Sequence, residues 1–123
     1  MGQAKKGHFG EVLRKKRLEK GYSLRQFAKL IDVSPTYLSL VEQGKVERPP
    51  TADRVRAMAE QLGENADQWI ALAGRLSEDL ADIIKSEPEA MPALLRAAKG
   101  LSADELRAFT KKLEKKRGEE EKP

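Results

Sequence analysis

Cysteine is absent from this 123-residue chain. That excludes disulfides, thiolate catalysis and Cys-ligated zinc. Histidine occurs once, as His8, so a His-rich metal site or a Ser-His-Asp triad has almost nothing to be built from. Aromatics are scarce, with three Phe, two Tyr and one Trp, and any core must therefore be aliphatic. No run of 18 apolar residues exists, and no charged-then-apolar leader opens the chain. Neither a membrane span nor secretion is expected, and a cytoplasmic location is. Without a phosphate-cradling Gly-rich loop, no catalysis, metal or cofactor is expected.

What is present is 39% hydrophobic and 36% charged residues, enough for one domain, or one small domain with an appendage. Residues 1–48 hold eleven Lys and Arg against five Asp and Glu, a surplus of six. Residues 49–74 run to minus two, and residues 75–123 balance at zero. A positive surplus confined to one end suits a polyanion-binding head on a neutral body. Surface Lys and Arg that merely solvate helices would give the same composition.

The chain reads as helices punctuated by Gly21, Gly44, Gly63, Gly74, Gly100 and Gly118, in the manner of C-terminal helix stops. Starts are marked by Ser23 with Gln26, by Ser34-Pro35, by Thr51, by Asn65 with Gln68, by Ser77 and by Ser102 with Glu105. Leu24, Phe27, Ala28 and Ile31 recur at helical period, as do Val55, Met58, Ala59 and Leu62. Helices are expected over 8–20, 23–31, 34–43, 51–62, 66–73, 77–85, 88–99 and 102–117, the seventh open to a split at Pro92. Residues 1–6 and 118–123 are expected to be disordered tails. The fold class is all-α, with a head over 7–74 and a smaller helical region over 75–117.

The sharpest signal lies in residues 23–43. Two short helices meet across Asp32-Val33, and Ala28 permits a close, steep crossing while Val33, Leu38 and Val41 turn inward. The second helix is left with Pro35, Thr36, Tyr37, Ser39, Leu40 and Gln43 outward. These short or flat, hydrogen-bonding side chains suit the edges of bases in a major groove.

Over about Phe9 to Ala73 this pattern resembles the Xre/Cro-repressor family of helix-turn-helix proteins. Its marks are Leu13 and Arg17, Ser23 through Phe27-Ala28, Val33-Ser34, Leu38-Ser39, Glu42-Gln43-Gly44-Lys45 and Val55 through Leu62-Gly63. The resemblance implies a five-helix, lambda-repressor-like bundle. It also implies a transcription regulator, usually a repressor that binds double-stranded DNA as a dimer at a palindromic operator. There are departures: Leu24 stands where the family often has Gln, and the loop Lys45–Pro50 is about two residues longer than the commonest form. Pro35 cannot donate from its backbone, which moves base reading onto Thr36, Tyr37 and Ser39.

Thr36, Tyr37 and Ser39 are the base-reading candidates, although Tyr37 could instead pack on the preceding helix and offer only its hydroxyl to a phosphate. Arg14, Arg25, Gln26, Ser34, Gln43, Lys45 and Arg48 are the phosphate candidates. Arg17 fits that role less well, because it is placed to pair with Glu42 inside the bundle. Phe9, Leu13, Phe27, Ile31, Leu38, Val41, Val55, Ala59, Leu62, Trp69 and Ile70 are read as core.

In the second half, Leu80, Ile83 and Ile84 form one apolar stripe. Met91, Leu94, Leu95 and Ala98 form a second, and Leu106, Phe109 and Leu113 a third. One head covers one half-site, which rarely discriminates enough against a genome, so these stripes are expected to make a homodimer. The alternatives are a monomeric extension, or an antitoxin- or adaptor-type regulator whose C-terminal helices bind a partner protein. Some members resembling this layout are inactivated by a partner metallopeptidase, for which Lys85–Glu89 or Lys99-Gly100 would be the cut site. The acidic groups Glu78-Asp79-Asp82 and Glu87 with Glu89 are read as helix-dipole charges, not metal ligands.

Overall fold

The computed structural model describes the backbone of residues 2–121 and the side chains of residues 8–121. Eight helices follow one another among these residues. They are α1 (Gly2–Glu19), α2 (Leu24–Leu30), α3 (Pro35–Gln43) and α4 (Ala52–Gln61), then α5 (Ala66–Leu72), α6 (Glu78–Ser86), α7 (Ala90–Ala98) and α8 (Ala103–Glu120). The chain divides into two compact units, residues 1–81 and 82–123.

The first unit closes around one core. Leu13, Phe27, Ala28, Leu38, Val55, Met58 and Ala59 are fully buried, joined by Phe9, Ile31, Val41, Leu62, Trp69, Ile70 and Ala73. Removing each large side chain from water contributes about 1.5–3 kcal/mol. Four of the six aromatics pack in two pairs. Phe9 meets Trp69 edge to face at 5.8 Å, and Tyr22 staples onto Phe27, also at 5.8 Å, which fixes the entry angle of α2.

The caps explain why the helices begin where they do. Ser23 and Gln26 exchange side-chain-to-backbone hydrogen bonds, Ser23 N–H donating to Gln26 Oε1 at 2.8 Å and Gln26 N–H to Ser23 Oγ at 3.1 Å. Ser34 Oγ accepts from Tyr37 N–H at 3.0 Å, and Pro35 occupies the first helical position, where no donor is needed. Thr51, Asn65 and Ser102 cap α4, α5 and α8. Ser77 behaves differently from its expected capping role: its hydroxyl donates to Asp79 Oδ1 at 2.7 Å. That bond is the chief cause holding the Asp79 carboxyl below its ordinary range.

Several expected boundaries move. The backbone of α1 is helical from Gly2, where a tail to residue 6 was expected. Gly118 lies inside α8, which runs to Glu120, because no left-handed residue stops it there. Pro92 does not split α7, since it falls in the first turn, where its missing N–H removes no helical bond. The first unit also reaches past Gly74. Arg75 donates from Nε to the Pro50 carbonyl at 3.0 Å and from Nη2 to the Pro49 carbonyl at 2.6 Å, securing the long loop that follows α3.

The second unit has a different character. None of its described residues, 82–121, is buried. Ile84 and Met91 are half-buried, and Leu94, Leu95, Phe109 and Leu113 are 54–60% exposed. Its apolar stripes exist as helical faces, with no interior formed by the single chain.

Candidate nucleic-acid interface

The turn between α2 and α3 is set by backbone chemistry. Val33 N–H donates to the Ala28 carbonyl at 2.9 Å and Asp32 N–H to the Lys29 carbonyl at 3.2 Å. This closes α2 with a Schellman motif, whose left-handed position is filled by Asp32 at φ 56°. Asp tolerates that region better than most side chains because its short polar group bonds locally. Ala28 is completely buried, so no bulk on α2 obstructs the close approach of α3.

Three residues lock α3 inward: Leu38, Val41 and Glu42. Glu42 is buried because Arg17 of α1 meets it with two parallel bonds, Nε to Oε2 at 2.7 Å and Nη2 to Oε1 at 2.9 Å. The remaining Nη1 donates to the Tyr22 carbonyl at 2.9 Å. Hydrogen bonding to Glu42 holds the Arg17 guanidinium above its ordinary range. Arg17 is thus a structural strut between α1 and α3, with all three of its guanidinium nitrogens bonded within the fold.

A second constraint between the same helices was not legible in the sequence. A Cβ on Gly10 would fall within 3 Å of the Val41 and Glu42 carbonyl oxygens. The absence of a side chain therefore allows α1 to cross directly over the back of α3.

The outward face of α3 carries Pro35, Thr36, Leu40 and Gln43, all exposed, with Tyr37 and Ser39 half-buried between them. It has no Lys, Arg, Asp or Glu. Ser39 Oγ accepts from Gln43 Nε2 at 2.8 Å, so these two present a joined hydrogen-bonding surface with the Gln43 carbonyl oxygen free. Tyr37 does not simply lie against α2: the guanidinium of Arg54, in the first turn of α4, sits 5.1 Å from its ring centroid. Arg54 escaped the sequence reading because nothing in spacing alone brings the start of α4 to the start of α3.

The phosphate candidates stand in different states. Arg14 and Gln43 line one shallow depression with Glu11 and Glu42. Gln26 spends its amide oxygen on the Ser23 cap but keeps two N–H donors. Ser34 spends its oxygen as an acceptor but keeps its O–H. Arg14, Arg25, Lys45, Arg48 and Arg54 are exposed, and none is held in an ion pair among the described residues. Among the described residues no ion pair involves Arg25, Lys45 or Arg48. Among the capped helices of this unit, α4 and α5 carry acids in their first turns, Asp53 and Asp67, whereas α2 and α3 carry none. The positive dipole ends of α2 and α3 are left uncompensated by the chain itself.

The helix-turn-helix family model matches residues 13–69 of this sequence. Over that segment the chain has an Xre/Cro-type helix-turn-helix fold. The matched span runs from Leu13 of α1 to Trp69 of α5, the segment that builds the buried core and presents α3. The helix-turn-helix match supports a DNA-binding transcription regulator. Similar solved structures include two of the clp gene regulator ClgR from Corynebacterium glutamicum. One is 30% identical over 57% of this chain and 87% of that one, with a TM-score of 0.48. The other is 25% identical over 79% and 96%, with a TM-score of 0.49. A SinR protein/SinI protein complex is 22% identical over 89% and 98%, with a TM-score of 0.47. Comparison with curated proteins gives no match. Among the described residues no helix is long and apolar enough to cross a membrane.

Proposed function

We propose that this helix-turn-helix protein is a sequence-specific repressor that binds a palindromic operator as a homodimer. The observation that carries the reading is the outward face of α3, a strip of uncharged, mostly hydrogen-bonding side chains with the exposed cations Arg54 against Tyr37 and Arg14 beside Gln43. A merely solvated helix would carry Lys and Glu there. Thr36, Tyr37 and Ser39 read base edges, with the Thr36 methyl and the Tyr37 ring suited to a thymine methyl. Arg14, Arg25, Gln26, Ser34, Gln43, Lys45 and Arg48 hold phosphates and fix the register.

The dimer is the finer part of the proposal and rests on the uncovered stripes of α6–α8. Leu80, Ile83, Ile84, Met91, Leu94, Leu95, Leu106, Phe109 and Leu113 have no interior to enter within one chain. A second copy would bury them and set two α3 helices at a fixed separation, as a two-fold operator requires. The same faces would equally seat a partner protein, and that reading is favoured if the purified chain is monomeric alone and stoichiometric with another polypeptide.

The test is competition between the DNA upstream of the protein's own gene and a random duplex. Specific binding is expected to exceed random binding by at least about 10³ at physiological salt. Arg25→Ala and Lys45→Ala should weaken both duplexes alike, whereas Thr36→Ala should change the ratio. Equal affinity of the unaltered protein for both duplexes overturns the sequence-specific reading.

A further inference from the structure

We infer that Arg54 is a positioning residue for Tyr37, so that the two side chains discriminate bases as one unit across α3 and α4. The inference rests on the base-reading role proposed above for Tyr37. Both residues occupy the third position of their helices, behind the caps Ser34 and Thr51. Each cap bonds the backbone N–H of its residue, Tyr37 at 3.0 Å and Arg54 at 3.3 Å. The two backbones are therefore fixed, and the remaining freedom lies in the side chains.

Tyr37 packs partly against the core, and Arg54 limits the freedom that is left to its ring. Its guanidinium carbon lies 5.1 Å from the ring centroid, within the range of a cation–π contact. A free tyrosine ring samples several rotamers, and ordering it on a base edge costs part of the discrimination the contact yields. A ring already covered on one side has less to lose. Arg54 also has no carboxylate partner among the described residues, and no side-chain hydrogen bond is spent within the fold. Its planar fork can stack through its face and donate through its edge together. With the edge on a phosphate and the face on Tyr37, the phosphate grip and the base contact become coupled.

The probe is a randomised 20-base-pair duplex pool, from which bound sequences are recovered for the unaltered full-length chain and each variant. Arg54→Lys keeps the positive charge but loses the planar guanidinium fork. It is expected to relax preference about threefold to tenfold at the base pairs Tyr37 touches, a larger change than any it makes in random-duplex affinity. Arg54→Ala should relax the same positions and also lower the salt slope by about one contact. In the Tyr37→Leu background, Arg54→Lys should have no further effect, whereas Tyr37→Phe should leave the dependence on Arg54 intact. Arg54 is exposed, and melting temperatures of its variants should match the parent, which separates this role from a folding one.

An Arg54→Lys motif identical to the parent's at every position overturns the positioning role and leaves base reading by α3 standing. So does a relaxation that persists undiminished in the Tyr37→Leu background, since Arg54 would then act alone. A parent that enriches no motif overturns both readings together.

Discussion

Gly10 and Asp32 show how single residues set where α3 stands. Gly10 reads in the sequence as a weak spot in a helix, because glycine lowers helix propensity. Its value appears only when α1 crosses α3, and no periodicity announces that contact. Gly10→Ala is expected to destabilise the protein by about 3 kcal/mol or more, since the added methyl meets backbone oxygens that cannot rotate away. Denaturant unfolding measures it, and an unchanged midpoint would show that α1 is free to shift. Asp32 was legible as part of a turn but not as a left-handed residue. Asp32→Gly should raise stability by about 0.5–1 kcal/mol by relieving the positive φ, and Asp32→Val should lower it by at least as much. A stabilising Asp32→Val in the same unfolding assay would contradict the assigned geometry.

At the level of elements, the sequence was most readable where local chemistry decides the outcome. Ser23, Ser34, Thr51, Asn65 and Ser102 cap the helices they were expected to cap, because a cap is a contact over three residues. Five of the six expected glycine stops hold left-handed φ, and Gly118 does not: the exposed last turns of α8 neither require nor forbid a stop. The Arg17–Glu42 strut was readable as a pair because the family pattern places both residues, but its bidentate form needed three dimensions. Glu42→Ala would strand a buried guanidinium, with an expected loss of about 3–5 kcal/mol. The double variant Arg17→Met, Glu42→Leu should recover most of that loss. A Glu42→Ala protein as stable as the parent would mean that Arg17 finds water instead.

Across the whole molecule, the two units differ in what they leave unfinished. The first buries its core, satisfies its buried side chains and leaves cations and a polar helix face unpaired. The second leaves apolar faces uncovered. Those stripes were legible as periodicity, but what covers them was not, because a stripe fits its own chain, a twin or a stranger equally well. Phe109→Glu with Leu113→Glu is expected to convert a species of twice the 13.7 kDa chain mass into monomer by light scattering. The loss of linked half-sites should cost at least about 100-fold in operator affinity while random-duplex binding changes far less. A parent that is already monomeric at operator-binding concentrations would remove the dimer from this account.

The claim on which the rest depends is that α3 lies against DNA with its outward residues on the bases. Backbone amide shifts recorded while the motif-bearing duplex is titrated into labelled protein test it most directly. The largest perturbations are expected at Thr36, Tyr37, Ser39 and Gln43, with smaller ones at Arg25, Gln26 and Lys45. Perturbations concentrated in residues 78–120, with α3 unmoved at saturating DNA, would contradict it.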